Sequence, residues 1–316
     1  MTTVVRPARA ASPGGPQARP SRWQRLQSSP WIWLAPMTVL LLAVFVYPMV
    51  EIVRLSFTEA GLIEPVQDYT LGSYADVLGS AGFARTLRVT FLFVVASIVF
   101  QILLGLAIAL LIDEASRRGL RGTVVTRTAV LTAWAIPGVV IGIIWSLLYQ
   151  ETTSGILNYG LSLIGLSGQV PFLSDPTSAL VSVIVANVWR GTAFSMILCY
   201  AGLQTVSRDI LEAARVDGAS YWRTLRSIVL PLLLPILTIN VIIVTVETFN
   251  TFDMVLALTG GGPGTATEVL ALRVYSEIFE QLNLGRGAAL GAVLMSINVV
   301  MIAVYLRVLA RRGAVT

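Results

Sequence analysis

The sequence predicts an all-α, polytopic integral membrane protein, with six transmembrane helices and a polar helix-pair loop between the fourth and fifth. Three observations lead there. Of 316 residues, 55% are hydrophobic and 12% charged, about half the charged share of a soluble domain. Mainly apolar runs of about eighteen residues or more recur, the length a helix needs to cross hydrocarbon. The positive charge is unevenly spread: the net +5 comes from arginine alone, since the chain has no lysine and no histidine, and the arginines gather in alternate loops.

Residues 1–30 are rich in Pro, Gly, Ala, Ser and Arg, a composition that builds no core, so a disordered tail is expected there. The apolar run that follows is too long for a signal peptide and is read as a retained first span, 31–55. Trp31 and Trp33 suit one interface and Tyr47 the other, and Pro36 and Pro48 are kink positions. The further spans are expected at 86–112, 128–149 (carrying Pro137), 178–204, 232–258 and 288–309. A glycine-rich turn, Gly260 to Gly264 around Pro263, follows span five, and a short helix is expected at about 267–281.

Loop charge sets the topology. The tail before span one, the loops after spans two and four and the C-terminal tail are arginine-rich, and the other three loops are acidic or nearly neutral. Positive-inside then places both termini and the helix-pair loop in the cytoplasm. Arg54, Arg85, Arg88, Arg273 and Arg286 are exceptions, with snorkelling to the interface open to those near span ends.

The loop at 205–231 reads as two short helices folded back on each other. Asp209 is placed to cap the first, with Glu212 three residues on completing a capping box. Gly218 stands where a left-handed C-cap ends it. Ser220 is placed to cap the second and Pro231 to end it. The small residues Ala213, Ala214 and Ala219 let another surface approach the backbone, and Trp222, Leu225, Ile228 and Val229 form an apolar stripe.

Glu212-Ala213-Ala214, two residues, Asp217-Gly218, nine residues, then Ile228-Val229-Leu230-Pro231: this spacing resembles the signature loop of permease subunits of binding-protein-dependent ATP-binding cassette importers. Leu157-Asn158-Tyr159, Gly202-Leu203-Gln204 and Gly261-Gly262-Pro263 followed by Tyr275, Phe279, Gly285 and Ala288-Ala289 are similar to its sugar branch. Val206-Ser207-Arg208-Asp209 departs from the usual Ile-Pro and acidic residue, and Arg85 stands where asparagine is common. The resemblance implies a bacterial cytoplasmic-membrane location. It also implies a second permease subunit, two ATPase subunits that bind ATP and Mg, and an extracytoplasmic solute-binding protein. Glu212, Ala213, Ala214, Asp217, Gly218 and Ala219 would then dock on an ATPase subunit. An ordinary amphipathic helix pair is the structural alternative for this loop.

Ionisable groups inside a span are costly, about 2.5–3.5 kcal/mol each on insertion scales. Arg190 and Glu247 lie near the middles of spans four and five, and Asp253 further along. As one unbroken helix, span five puts Asn240, Glu247, Asn250, Thr251 and Met254 on one face. The mixture of charged, amide and aromatic groups suits a sugar. By resemblance to the maltose-type branch, Trp189, Arg190, Gly191, Phe194, Glu247, Thr248, Asn250 and Thr251 are the candidate solute-binding residues. Arg190 and Glu247 replace neutral residues of that case and suggest a more polar or charged solute. Contact of Arg190 and Glu247 with solute, and pairing with each other, both stay open.

Some functions are excluded. Without lysine there is no phosphate-binding Gly-Lys-Ser/Thr loop, so this chain carries no ATPase site of that type. Without histidine, and with Cys199 as its only cysteine, it offers no histidine base, internal disulfide or cysteine metal cluster. No catalytic or metal-binding residue, no cofactor of its own and no nucleic-acid partner are expected. The alternative function is a stand-alone secondary transporter or channel, which would call for inverted repeats that the sequence does not display.

Overall fold

The computed structural model describes residues 30–63, 68–152, 155–165 and 169–311, and all the regular structure in them is helical. The expected disordered tail lies outside the described residues except at Pro30, where the first helix already begins. The chain divides into two compact units, residues 1–51 and 52–316. In the first, Pro30–Leu41 passes through a π-helical turn at Leu42–Val46 into Tyr47–Ser56, which crosses the boundary between the units. We call this continuous helix α1.

The second unit holds the rest. α2 (Gly72–Gly79) is short. α3 (Ala81–Arg117) has 37 residues, about 55 Å at 1.5 Å per residue, so it outreaches the hydrocarbon core at its ends. Span three is not one straight helix: α4 (Thr123–Ala135) and α5 (Gly138–Leu148) meet at 101°. Pro137 causes the break. It has no N–H to donate and forces Ile136 out of the helical region, to φ −76° and ψ 131°. α6 (Ile156–Leu163) leads to α7 (Pro176–Leu203), whose first turn is capped by the Asp175 carboxylate, accepting from Thr177 N at 3.0 Å and Ser178 N at 2.9 Å.

The helix pair follows. α8 (Arg208–Val216) is capped by Ser207, which accepts from Asp209 N at 3.3 Å, and not by Asp209 itself. The Val-Ser that replaces Ile-Pro thus moves the cap two residues back and leaves Glu212 outside any capping box. At the other end Gly218 takes φ +72°, with Ala219 N donating to Ala214 O at 2.9 Å and Gly218 N to Arg215 O at 3.0 Å, a Schellman ending. Ser220 caps the next helix through Arg223 N, as expected. That helix, α9, does not stop at Pro231. It runs from Tyr221–Thr224 through a π-helical turn at Leu225–Val229 into Leu230–Phe249. The looser turn sits where the helix must accommodate the proline.

Span five ends early, at Phe249, and the chain restarts as α10 (Asp253–Thr259). The single face assigned from Asn240 to Met254 therefore does not exist: Met254 is fully buried on the next helix. Past the Gly260–Gly264 turn, which holds a cis Gly262–Pro263 bond, α11 (Leu270–Tyr275) continues into a π-helical turn at Ser276–Glu280. α12 (Leu284–Arg311) is last. Among the described residues five helices are long and apolar enough to cross a membrane, or six if α4 and α5 count as one span.

Among the described residues two of the three apolar clusters of this unit flank the candidate site. One joins Phe93, Ile141, Val183, Phe249, Met254 and Leu272. The other joins Ala109, Ile112, Met196, Leu203, Leu225 and Val229, where the helix pair packs under α3 and α7. Of the expected stripe on the second short helix, Leu225 and Val229 are buried there, whereas Trp222 is 75% exposed and edge-on to Tyr221. Away from the helix pair, three of the five exceptional arginines are held by polar neighbours. Arg85 donates to Thr265 Oγ1, Arg273 to Thr86 Oγ1 and Ser80 Oγ, and Arg286 pairs with Asp76 at 2.5 Å.

Candidate functional site

Between the two clusters the facing surfaces of α3, α7 and α9 turn polar. Some of these groups satisfy each other: Ser195 Oγ donates to Asn240 Oδ1 at 3.3 Å, both residues fully buried. Others open on a cavity of about 370 Å³. Six of the eight sequence-predicted solute residues line it: Arg190, Gly191, Glu247, Thr248, Asn250 and Thr251. Trp189 and Phe194 lie outside the lining, Trp189 edge-on to Trp145 at 6.0 Å and Phe194 against Trp134 at 5.8 Å.

Four lining residues were not among the candidates: Gln101, Trp134, Asn187 and Asp253. Gln101 and Asn187 are single amides in apolar runs, and an amide at membrane depth is itself the available signal. They meet across the helix contact, Gln101 Nε2 donating to Asn187 O at 3.1 Å. Gly191 makes room for this, because a Cβ there would fall 2.3–2.6 Å from the Gln101 amide atoms.

Arg190 pairs with Asp253, not Glu247, at 4.0 Å and with both side chains about a third exposed. The break after Phe249 explains the exchange, since it carries Asp253 sideways onto α5. There its carboxylate fills the space a Cβ at Gly138 would need. Glu247 is left exposed with no ion pair or side-chain hydrogen bond among the described residues. Asn187, 4% exposed, has an Nδ2 without an acceptor. The cavity thus offers a free carboxylate and an ion pair, with indole at its edge. It can bind a polar molecule by hydrogen bonds. Among the described residues no group of three or more His, Cys, Asp or Glu is placed to hold a metal.

The second candidate surface is the helix pair. Glu212, Ala213, Asp217 and Gly218 are exposed, Ala219 is half-buried, and Ala214 is turned inward. Between the two helices lies an open groove of about 410 Å³, walled by Ala213, Ala214, Asp217 and Ala219 on one side and Arg223 and Ile228 on the other. Just before the pair, the end of α7 is tied to α3 through Asp113: Oδ1 accepts from Gln204 Nε2 at 2.9 Å, while Oδ2 accepts from Arg117 Nε, on α3 itself, at 2.6 Å.

Comparison with known proteins places this geometry. The trehalose/maltose transport system permease protein MalF of Thermococcus litoralis is 32% identical over 279 residues, covering 88% of this chain and 92% of that one. The sn-glycerol-3-phosphate transport system permease protein UgpA of Brucella abortus is 32% identical over 285 residues, covering 90% and 95%. A crystal structure of a bacterial ABC transporter involved in the import of the acidic polysaccharide alginate contains a chain that matches at a TM-score of 0.79, over 92% of this chain and 98% of that one. Its 21% identity makes that a likeness of fold. The family described as binding-protein-dependent transport system inner membrane component matches residues 101–313, two thirds of the chain. The stand-alone transporter reading falls, and the chain belongs to that family of permeases of ATP-binding cassette importers.

Proposed function

We propose that this chain forms part of the membrane passage of an ATP-driven importer for a carbohydrate-class solute delivered by an extracytoplasmic binding protein. The observation that carries this is the polar cavity walled by long apolar helices, with the unpartnered Glu247 carboxylate in its lining. Hydroxyls of a sugar satisfy such a carboxylate by donating hydrogen bonds. The names of the relatives point to the same class of cargo, although they cover an uncharged disaccharide and a phosphate ester.

The remaining parts of the machine follow from the family. A second permease subunit completes the passage, and two ATPase subunits bind ATP and Mg, so hydrolysis occurs outside this chain. The exposed turn from Glu212 to Gly218, with Ala219 at the groove, is the ATPase docking surface. The arginine-rich loops support a bacterial cytoplasmic membrane with the helix pair and both termini on the cytoplasmic side.

Glu247→Gln tests the site. Uptake by the reconstituted importer is expected to fall at least about tenfold, the cost of losing one charge-assisted hydrogen bond of 1.5–3 kcal/mol. Co-purification with the ATPase subunits is expected to stay intact. Normal uptake, or loss of assembly in place of uptake, refutes the assignment.

A further inference from the structure

The charges around the cavity are unbalanced, and the imbalance bears on what passes; the inference rests on reading the cavity as the solute's passage. Arg190 contributes a guanidinium, and Glu247 and Asp253 contribute two carboxylates. Arg190 and Asp253 stand 4.0 Å apart and offset each other. That leaves the Glu247 carboxylate as the excess charge. Asn187 in the same wall has its Nδ2 buried, so it adds no open group to the cavity.

A hydroxyl-bearing solute answers Glu247 by donating a hydrogen bond to its carboxylate. An ammonium answers Glu247 with opposite charge as well. A carboxylate, sulfonate or phosphate meets repulsion from Glu247. It can reach Arg190 only beside the Glu247 and Asp253 carboxylates. We infer that the solute is a polyhydroxylated molecule without net negative charge, a neutral sugar or an amino sugar, and that Glu247 is the residue that turns acidic solutes away.

The charge preference is measurable without knowing the solute. In the importer assembled with partner subunits stripped of reactive thiols, Cys199→Ser removes this chain's only thiol and Asn250→Cys puts one on the exposed cavity wall. Its reaction rates with a cationic and an anionic methanethiosulfonate of similar size, each divided by that reagent's rate with a free thiol, are compared without nucleotide and trapped with ATP and vanadate. Thr251→Cys, close in size to the native side chain, supplies a second position if the first variant assembles poorly. The cationic reagent is expected to react about tenfold faster or more, the range for a cleft of one sign. Glu247→Gln is expected to bring the ratio towards one, and Glu247→Gln with Asp253→Asn to invert it.

An anionic reagent that reacts as fast as the cationic one overturns the inference while leaving the passage in place, as does a ratio indifferent to Glu247→Gln. If neither reagent reaches either thiol in any nucleotide state, the cavity is not on the passage, and the underlying reading falls together with the inference.

Discussion

Gly191 sets the spacing of the cavity wall. Any side chain there collides with the amide of Gln101, itself 2% exposed and held by Asn187 O. Gly191→Ala is expected to cost about 1–3 kcal/mol, the usual range for overpacking a tight contact, and to lower uptake by pushing Gln101 into the cavity. Gln101→Ala in the same chain removes the colliding atoms and is expected to recover part of both losses. Melting temperature and uptake of the two variants check this, and a double variant as impaired as the single one excludes the collision as cause. The residues at this scale differed in legibility. Arg190, Gly191 and Glu247 stood out in the sequence because charge or motif spacing marked them. Gln101 and Asn187 did not, since one amide in an apolar run carries no periodic signal. The pairing of Arg190 had stayed open in the sequence, and its partner Asp253 was not legible because the helix breaks two residues after Glu247.

At the scale of elements, three prolines in similar apolar settings had three outcomes. Pro137 splits its span at 101°. Pro231 sits in the first turn after a π-helical stretch and is absorbed, and Pro235 lies inside the same helix without ending it. Proline removes one donor in each case; neighbours decide whether the helix survives, and those neighbours come from packing that the sequence does not display. The Schellman ending at Gly218 was legible because only glycine suits that φ, whereas the cap at Ser207 was hidden by a departure from the family pattern. The tie at Asp113 was hidden too. A carboxylate near the C-terminal end of α3 opposes the helix dipole, and its two partners offset that. Because Gln204 stands at the end of α7, just before the helix pair, Asp113 joins the ends of two cavity-lining helices next to the proposed docking surface. Asp113→Asn keeps the shape but puts an NH₂ where one of two acceptor oxygens was. It is expected to destabilise by about 1–3 kcal/mol and to lower solute moved per ATP hydrolysed with ATPase binding preserved. An unchanged transport ratio at reduced stability confines Asp113 to a structural part.

For the whole molecule, the sequence announced an all-helical membrane protein through length and composition alone. The arrangement of two apolar clusters around a polar band was not readable, because it needs to be known which helices face each other. The same applies to the clasps at the chain's non-helical segments, and one of these sets the response to acid. Glu151, at the end of α5, accepts from Leu173 N at 2.6 Å, Ser174 N at 2.7 Å and Ser174 Oγ at 2.7 Å. The Ser174 hydroxyl first, and the two backbone amides with it, hold its carboxyl below the ordinary 4.5. Asp175, capping α7, is likewise held below its ordinary 3.8, mainly by Ser178 N. Both groups are depressed in the folded state. Their stabilisation is therefore complete above the unfolded values and lost as pH falls through the folded ones, where protons bind the unfolded chain more readily. With no histidine in the chain, no imidazole titrates between about pH 5 and 8. The melting temperature of the purified importer is expected to be nearly flat from about pH 8 to 5 as far as this chain sets it, and to decline below about pH 4.5. Glu151→Gln is expected to lower the plateau and flatten the decline, because the amide keeps one acceptor and loses the titrating group. A decline of unchanged steepness in that variant removes Glu151 from the account, and the acid response then belongs to other carboxylates.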